Sequence, residues 1–308
     1  MDPARPDAAG EYALQLTEAL AGLAAHADLT VIQPGFRGSA PAADILLLPA
    51  GGQPQPGYRC FSWLHDLAPL RGGLGGFRAR FRSAFSASRS DLVLAPSEAV
   101  AEALRRYLRV PPSRLAVVKP GLGPGHARTS REDAAAAAAI HNLPERYLLA
   151  FGDEGIARRA WAAAERPASG AGLVLAEALA AGRETLPALL SGAVGVLLAE
   201  PLNGNPMRAL QAMACGSPPI VPDDGAFPEV VRDGGLTVRT GHPEDWAEAI
   251  SALFRSRLLR AQLSGQGRQL AAELTAARAA RKVLELVEAG TRVAEDQRVD
   301  PGDLDRTD

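Results

Sequence analysis

The segment NGNPMRALQAMACGSPPIVPDDGAFPEVVRD occupies residues 203–233. Its pattern predicts a loop, a buried helix, a short strand, a second loop and a second short helix. Pro206 stands where a first helical turn tolerates a missing N–H, and Gly216 can adopt the left-handed conformation that ends a helix. Because the helix between them is small and apolar on most faces, we expect it to lie deep in the protein. The N–H groups at its start are free to bind an anion such as a phosphate.

The stretch from Leu210 to Gly235 contains LQAMACGSPPIV followed, after three residues, by GAFPEVVRDGG. It resembles the signature of the family 4 (group 1) glycosyltransferases. The resemblance implies an α/β chain of the GT-B fold, in which two Rossmann-like domains turn their parallel sheets toward a central cleft. It also implies transfer of a sugar from a nucleotide-diphospho-sugar donor to a hydroxyl acceptor, with retention of configuration and with no metal or other cofactor.

The composition bounds the class of protein. The chain has 308 residues, 47% hydrophobic and 22% charged, and a net charge of −2. This suits two soluble domains and gives no general case for nucleic-acid binding. The sequence begins without an apolar signal region and contains no apolar run of membrane-spanning length, so we expect a cytoplasmic protein. Cys60 and Cys215 both lie in apolar runs, which favours buried thiols over a disulfide.

Strand and helix patterns alternate along the chain, which predicts parallel sheets with right-handed crossovers. A helix capped by Ser97 is predicted after the strand at 91–95, and further helices at 134–139 and 243–254. The other predicted strands are at 29–32, 45–48, 60–64, 115–118, 147–151, 172–176, 194–198, 219–221 and 236–238. We divide the chain into an N-terminal Rossmann-like acceptor domain (1–118), a Pro- and Gly-rich linker (119–145), a C-terminal Rossmann-like nucleotide-sugar domain (146–270), a C-terminal helix (271–289) and an acidic tail (290–308). Residues 258–289 are predicted to be helical, and in the family the final helix crosses back to the first domain. The tail has six acids and three arginines with few apolar residues, so we predict that it is disordered.

His65 and Asp66 follow a predicted strand at residues 60–64, and ligands of open α/β sheets bind beyond the carboxyl ends of strands. The resemblance makes His65 the active-site histidine that faces the sugar donor. The alternative is a histidine that caps the strand end, and we interpret Asp66 as structural.

The diphosphate of a nucleotide-sugar needs positive charge. Where the family has an arginine after the first strand of the second domain, this chain has Asp153. Arg158 and Arg159 lie near the place of the family's lysine and could bind phosphate, although a solvated helix face also explains them. Arg208, in the first turn of the helix after Pro206, is a second candidate, with an exposed helix residue as its alternative. Gly121 and Gly204 are also predicted to contact the donor.

The two glutamates of the family's acidic motif are absent. Asn203 stands at the first position, beside the sugar, so its catalytic role would lack the electrostatic help of a carboxylate. Gln211 stands at the second, which in the family binds the donor ribose. Because charge-assisted hydrogen bonds contribute about 1.5–3 kcal/mol and neutral ones about 0.5–1.5 kcal/mol, this change should weaken donor binding roughly ten-fold. The alternative is that both are polar residues in a site that no longer works.

Three further features have a structural and a functional interpretation. Glu229, at the start of a predicted helix, is interpreted as structural. Asp223 and Asp224 lie in a turn, and we do not assign them to a metal. Residues 71–89 (Arg71–Arg89) place three phenylalanines on one helical face among arginines, which fits either a buried core helix or contact with an anionic membrane.

These observations predict a glycosyltransferase that uses a nucleotide-sugar and an acceptor that is a saccharide or a lipid-linked molecule. Peripheral attachment to the inner face of the membrane would follow from the second interpretation of residues 71–89. The alternative is a catalytically inactive relative that binds or stabilises another enzyme. The changes at Asn203, Gln211 and Asp153, together with the shortened second domain, favour that alternative.

Overall fold

The structure is a computed structural model, and it describes residues 15–22, 45–48, 59–64, 86–167, 169–179, 181–199 and 206–296. The predicted strand at residues 29–32 and the basic segment 71–85 lie outside these ranges, as do residues 1–14 and 297–308. Within them the chain forms two parallel sheets with helices packed on them, as the resemblance implies.

Four parallel strands form the described sheet of the N-terminal domain. In spatial order they are β1 (Ile45–Leu48), β2 (Arg59–Trp63), β3 (Leu92–Ala95) and β4 (Leu115–Val117). Helix α1 covers residues 15–22, and α2 (Glu98–Leu108) follows β3 directly. The Ser97 hydroxyl accepts a hydrogen bond from the N–H of Val100 at 3.1 Å, which confirms the predicted cap.

Five parallel strands form the sheet of the C-terminal domain: β5 (Arg146–Gly152), β6 (Ala171–Leu175), β7 (Gly195–Ala199), β8 (Pro219–Pro222) and β9 (Leu236–Val238). Their spatial order is β6-β5-β7-β8-β9. The helices between and beside them are α3 (Arg131–Ile140), α4 (Glu154–Ala163), α5 (Ala176–Leu179), α6 (Leu186–Gly192), α7 (Met207–Ala214), α8 (Phe227–Val231) and α9 (Pro243–Arg255). The strands and helices predicted here are confirmed to within a few residues.

The central strand β5 is buried on both faces, and its side chains alternate between two apolar cores. Leu148 and Ala150 pack in the core that includes residues of α4 and α9. Leu149 and Phe151 pack in the core that includes residues of α6, α7 and α8. This period of two explains why the strand is apolar throughout.

Helix α7 is the buried helix that the sequence predicts. Its residues are buried apart from Arg208 and Ala214, which are half-buried. Gly216, just past its end, has φ of +80°, the left-handed conformation that a C-terminal cap needs. The Cys215 thiol beside it is buried, which raises its pKa to about 12, so it stays protonated at neutral pH. Cys60 is also buried and is not part of a disulfide, as predicted.

The C-terminal helical region differs from the prediction in two respects. Residues 258–289 were expected to be one helical region, with a crossing helix over 271–289, but two helices form: α10 (Arg257–Glu273) and α11 (Ala276–Asp296). They are separated because Thr275 forms a β-bridge with Leu122 of the linker, and its hydroxyl then accepts from the N–H of Arg278 at the start of α11. In addition, α11 continues to Asp296, seven residues into the segment for which composition predicts disorder.

One apolar cluster contains residues of both domains, and we call it the shared cluster. It consists of Leu16, Leu20, Trp63, Leu94, Val118, Leu122, Met207, Leu210, Met213, Val230, Ala271, Ala279, Ala280 and Val283. Helix α7 thus packs with α1 and β3 of the other domain, and α11 contributes to the same cluster. None of the helices in the described ranges is both long and apolar enough to cross a membrane.

Candidate functional site

The order of the strands marks one edge of the C-terminal sheet as the place for a ligand. The chain moves from β5 to β6 on one side of the sheet and then crosses to β7 on the other side of β5. In open α/β sheets, ligands bind outside the carboxyl ends of the strands at such a reversal. Here β5 ends at Gly152 and β7 at Ala199. We call this place the switch-point edge.

Arg208 lies at the switch-point edge, in the first turn of α7. Its guanidinium carbon is 5.3 Å from the centroid of the Phe151 ring at the end of β5, a cation–π contact. Its Nη1 donates a hydrogen bond of 2.8 Å to Oε1 of Gln211, one turn later in the helix. Two contacts therefore orient a half-buried positive charge at the carboxyl end of the central strand.

Gln211 is enclosed by the protein, with 1% of its surface exposed. Its oxygen accepts from Arg208, and its Nε2 lies 3.0 Å from Nε2 of His126 in the linker. Because the amide nitrogen can only donate, this arrangement requires an unprotonated Nε2 on His126. Both ends of the carboxamide are thus engaged within the protein, and a ribose could reach Gln211 only after these contacts rearrange.

His126 is a residue that the sequence analysis did not identify. It lies in the segment GPGHAR between β4 and α3, where no helical or strand pattern indicates which side chains point inward. Its position depends on a contact between residues 85 apart in the chain. Only its proximity to Gln211 in the folded protein makes it a member of the site.

The start of α4, next to β5, carries negative as well as positive charge. The Asp153 carboxylate accepts from the N–H of Ile156 at 2.8 Å and so caps α4, which gives this acid a structural role. Glu177 accepts from the N–H of Gly152 at 3.1 Å. Arg158 pairs with Glu154 on the exposed face of α4, with 2.6 Å between Nε and Oε1. Arg159 reaches within 3.1 Å of the position that a Cβ would take on Gly155.

The remaining predicted site residues fall into two groups. His65, Asp66, Asn203 and Gly204 lie outside the described residues, so their predicted roles stay predictions. Gly121 is described and buried, and a Cβ at this position would lie 2.2 Å from the backbone carbonyl of Thr275. The close approach of the linker to the α10–α11 junction therefore accounts for this glycine without a ligand.

The acids after β8 are structural. The Asp223 carboxylate accepts from the N–H and the hydroxyl of Thr240, and the Thr240 N–H bond holds the pKa of Asp223 below its ordinary value. Asp224 accepts from the N–H of Gly225. Within the described ranges, no group of three His, Cys, Asp or Glu side chains could hold a metal ion. Glu229, interpreted above as structural, bonds to the backbone of α2 in the other domain.

The chain is similar to a curated enzyme over a short stretch. It is 42% identical over 59 residues to D-inositol 3-phosphate glycosyltransferase from Actinosynnema mirum. The match covers 18% of this chain and spans only 14% of the length of that relative.

Two solved structures are similar over most of the chain. WaaG, a glycosyltransferase involved in lipopolysaccharide biosynthesis, aligns with a TM-score of 0.68 and 15% identity over 92% of this chain and 96% of WaaG. Anabaena HepE in complex with UDP-glucose aligns with a TM-score of 0.63 and 17% identity over 75% of this chain and 72% of HepE. At these identities the likeness establishes the fold, and the fold of these neighbours is GT-B.

Two family models match, one in each sheet region. Residues 39–124 match the model described as Glycosyltransferase Family 4. Residues 181–270, which include α7 and α8, match the model described as Glycosyl transferases group 1. Between them the two matches cover more than half of the residues, and the chain belongs to the family 4 (group 1) glycosyltransferases of the GT-B fold.

Proposed function

We propose that this chain transfers a sugar from a nucleotide-diphospho-sugar to a hydroxyl group of an acceptor, with retention of configuration and without a metal ion. The observation that carries the proposal is the position of Arg208. Its guanidinium lies over Phe151, at the carboxyl end of the central strand and in the first turn of α7. A diphosphate bound there would meet both the positive end of a helix and a fixed guanidinium.

The neutral Gln211 suits this role of Arg208. A glutamate at this position would place a carboxylate where the Gln211 oxygen accepts from Arg208, at 2.8 Å, and would neutralise the guanidinium. The carboxamide orients Arg208 with a hydrogen bond and adds no negative charge beside it. The family's acidic motif thus loses a carboxylate next to the Arg208 guanidinium at the switch-point edge.

The comparisons support the class of donor. HepE is similar in fold and was crystallised with UDP-glucose. The resemblance to the family 4 (group 1) glycosyltransferases also implies a nucleotide-sugar donor. We propose that His65 faces the donor from the N-terminal domain and that Asn203 lies beside the sugar. We also propose that Arg158 or Arg159 adds a second phosphate contact. The acceptor is proposed as a saccharide or a lipid-linked molecule.

Replacement of Arg208 tests the proposal. Because a hydrogen bond to a charged group contributes about 1.5–3 kcal/mol, we expect Arg208→Ala to weaken donor binding by roughly ten-fold to a hundred-fold. Isothermal titration calorimetry with UDP-, GDP- and ADP-glucose measures this loss. Arg255→Ala, which removes an exposed arginine paired with Glu165, is the matched control and should bind the donor as the wild type does.

The same titrations assign the second cationic contact. Arg158 is already paired with Glu154 on its own helix, so we expect the larger loss of affinity from Arg159→Ala. If Arg208→Ala binds the donor as tightly as Arg255→Ala does, the role proposed for Arg208 is wrong.

A second function has an observation of its own. Gln211 has both ends of its carboxamide engaged and 1% exposure, and the carboxylate of Asp153 stands where the family has an arginine. These features favour a relative that retains the fold but binds another protein, such as an active glycosyltransferase. Absence of donor binding at millimolar concentration, together with recovery of a partner by affinity purification, would favour this second function.

A further inference from the structure

Helix α8 of the C-terminal domain bonds directly to helix α2 of the N-terminal domain. The two carboxylate oxygens of Glu229 accept from consecutive backbone N–H groups of α2. The bonds are 3.0 Å from the N–H of Glu98 and 2.7 Å from that of Ala99. In the chain, Glu229 lies 131 positions after Glu98 and 130 positions after Ala99.

This contact completes the N-terminus of α2. The first N–H groups of a helix have no partner within the helix and need one from outside. The N–H of Val100 is satisfied by Ser97, the local cap, at 3.1 Å. In the described part of the chain, the N–H groups of Glu98 and Ala99 are satisfied by the carboxylate of Glu229. A carboxylate at a helix N-terminus is also favoured by the helix dipole.

The start of α8 packs against the core of the N-terminal domain. Ala226, the residue before α8, is 2% exposed and packs in the apolar core of that domain with residues that include Val93, Ala95 and Val100. The apolar contact of Ala226 and the polar contact of Glu229 lie three positions apart, on one face of the helix. Helix α8 therefore meets the other domain through both packing and hydrogen bonds.

The end of α8 is held in the C-terminal domain in a strained conformation. Arg232 has φ of 42° and ψ of −125°, which is unfavourable for a residue with a Cβ. Its guanidinium lies 3.6 Å from the Glu273 carboxylate at the end of α10. Two residues later, Gly234 packs so closely on Gly267 that a Cβ would lie 2.6 Å from the Gly267 Cα. The start of α8 thus packs against the N-terminal domain, and its end packs against the C-terminal domain.

We propose that α8 is an interdomain latch in which Glu229 is the positioning residue, and that the latch fixes the orientation of the two domains across the cleft. The carboxyl ends of β3 and β8 precede α2 and the loop before α8, so the latch lies on the cleft side of both sheets. The inference goes beyond the proposed function, because the latch operates in a glycosyltransferase and in an inactive relative alike.

The distance between the domains tests the latch directly. Spin labels at Ser113→Cys in the N-terminal domain and Ala162→Cys in the C-terminal domain report the distance by pulsed electron–electron double resonance. Both positions are exposed, and both native thiols are buried, so the labels should attach at the introduced cysteines. We expect a narrow distance distribution in the otherwise wild-type protein. We expect Glu229→Gln, which keeps the size of the side chain but loses its charge and one acceptor, to broaden the distribution and shift it to longer distances.

Two controls separate the latch from general instability. Glu248→Gln removes an exposed carboxylate on α9 and should leave the distribution narrow. Because glutamine keeps one acceptor oxygen, amide hydrogen exchange measured by NMR should show loss of protection at Glu98 or Ala99 in Glu229→Gln, with protection at Val100 retained because Ser97 still caps it. An unchanged distance distribution in Glu229→Gln, or equal broadening in Glu248→Gln, would overturn the proposal. Neither result depends on donor binding, so the latch and the proposed function fail separately.

Discussion

At the scale of single residues, Gln211 decides the electrostatics of the site. Its carboxamide lies between Arg208 and His126 and has both ends hydrogen-bonded. A neutral group in this place orients a cation without neutralising it, whereas a buried carboxylate would form an ion pair with Arg208. The glutamine that stands in place of the family's glutamate therefore keeps polar contacts at both ends of its side chain.

Sequence reasoning identified part of this site. Arg208 follows from its place in the first turn of a helix that Pro206 and Gly216 delimit, because these signals are local in the chain. His126 does not follow, because it belongs to a linker of irregular structure and meets Gln211 only in the folded protein. The bonds from Glu98 and Ala99 to Glu229 cross between domains, so the sequence predicted a structural role for Glu229 but not its partner.

Arg232 provides a test of backbone strain. Its φ of 42° with ψ of −125° favours glycine, and such strain costs on the order of 1–3 kcal/mol. Arg232→Gly relieves it, while Arg232→Ala retains it, and both remove the exposed pair with Glu273. Glycine has greater freedom than alanine in the unfolded chain, which offsets part of this gain. We therefore expect the free energy of unfolding of Arg232→Gly to exceed that of Arg232→Ala by about 1 kcal/mol.

Urea denaturation of the two Arg232 variants measures the difference. Because both have lost the same ion pair, the comparison isolates the backbone contribution. Equal stability, or a more stable alanine variant, would contradict the assignment of strain to this residue.

At the scale of elements, close backbone contacts fix how the C-terminal helices pack. Gly234, after α8, lies against Gly267 of α10, and Gly121 lies against the junction of α10 and α11. The long helical region predicted from sequence divides at this junction because Leu122 donates to the carbonyl of Leu274 and accepts from the N–H of Ala276. Hydrophobic periodicity depends on neighbours in the chain, so it could predict the helices. It could not predict the bridge between Leu122 and Thr275 that separates them, because these residues are far apart in sequence.

Two alanine substitutions on these elements should have opposite effects. In Gly234→Ala the new methyl group would lie 2.6 Å from the Gly267 Cα and 3.0 Å from the Met213 sulfur. Overpacking of this kind costs about 1–3 kcal/mol. In Gly265→Ala the methyl group enters open space on α10, and alanine is favoured over glycine inside a helix by roughly 0.5–1 kcal/mol.

Thermal unfolding monitored by circular dichroism compares these variants with the wild type. We expect a lower midpoint for Gly234→Ala and a higher midpoint for Gly265→Ala. A Gly234→Ala variant as stable as the wild type would contradict the close contact between Gly234 and Gly267.

At the scale of the whole molecule, three of the connections seen among the described residues bear on how the domains are joined. The shared cluster packs α7 and α11 with α1 and β3, and the linker bonds to α1 through the N–H of Gly123 and the Gln15 oxygen, 2.8 Å apart. The latch at Glu229 is the third. The alternation of strands and helices, with the signature from Leu210 to Gly235, was sufficient to predict the GT-B fold, because both depend on local patterns. The orientation of the domains depends on contacts distant in sequence and was not predicted.

The central claim is that the switch-point edge of this family member still binds a nucleotide-sugar. Calorimetric titration of the wild-type chain with UDP-, GDP- and ADP-glucose at concentrations up to millimolar tests it most directly. We predict saturable binding of at least one of these donors, with an affinity that falls in Arg208→Ala but not in Arg255→Ala. If none of the three donors binds at millimolar concentration, the claim is contradicted.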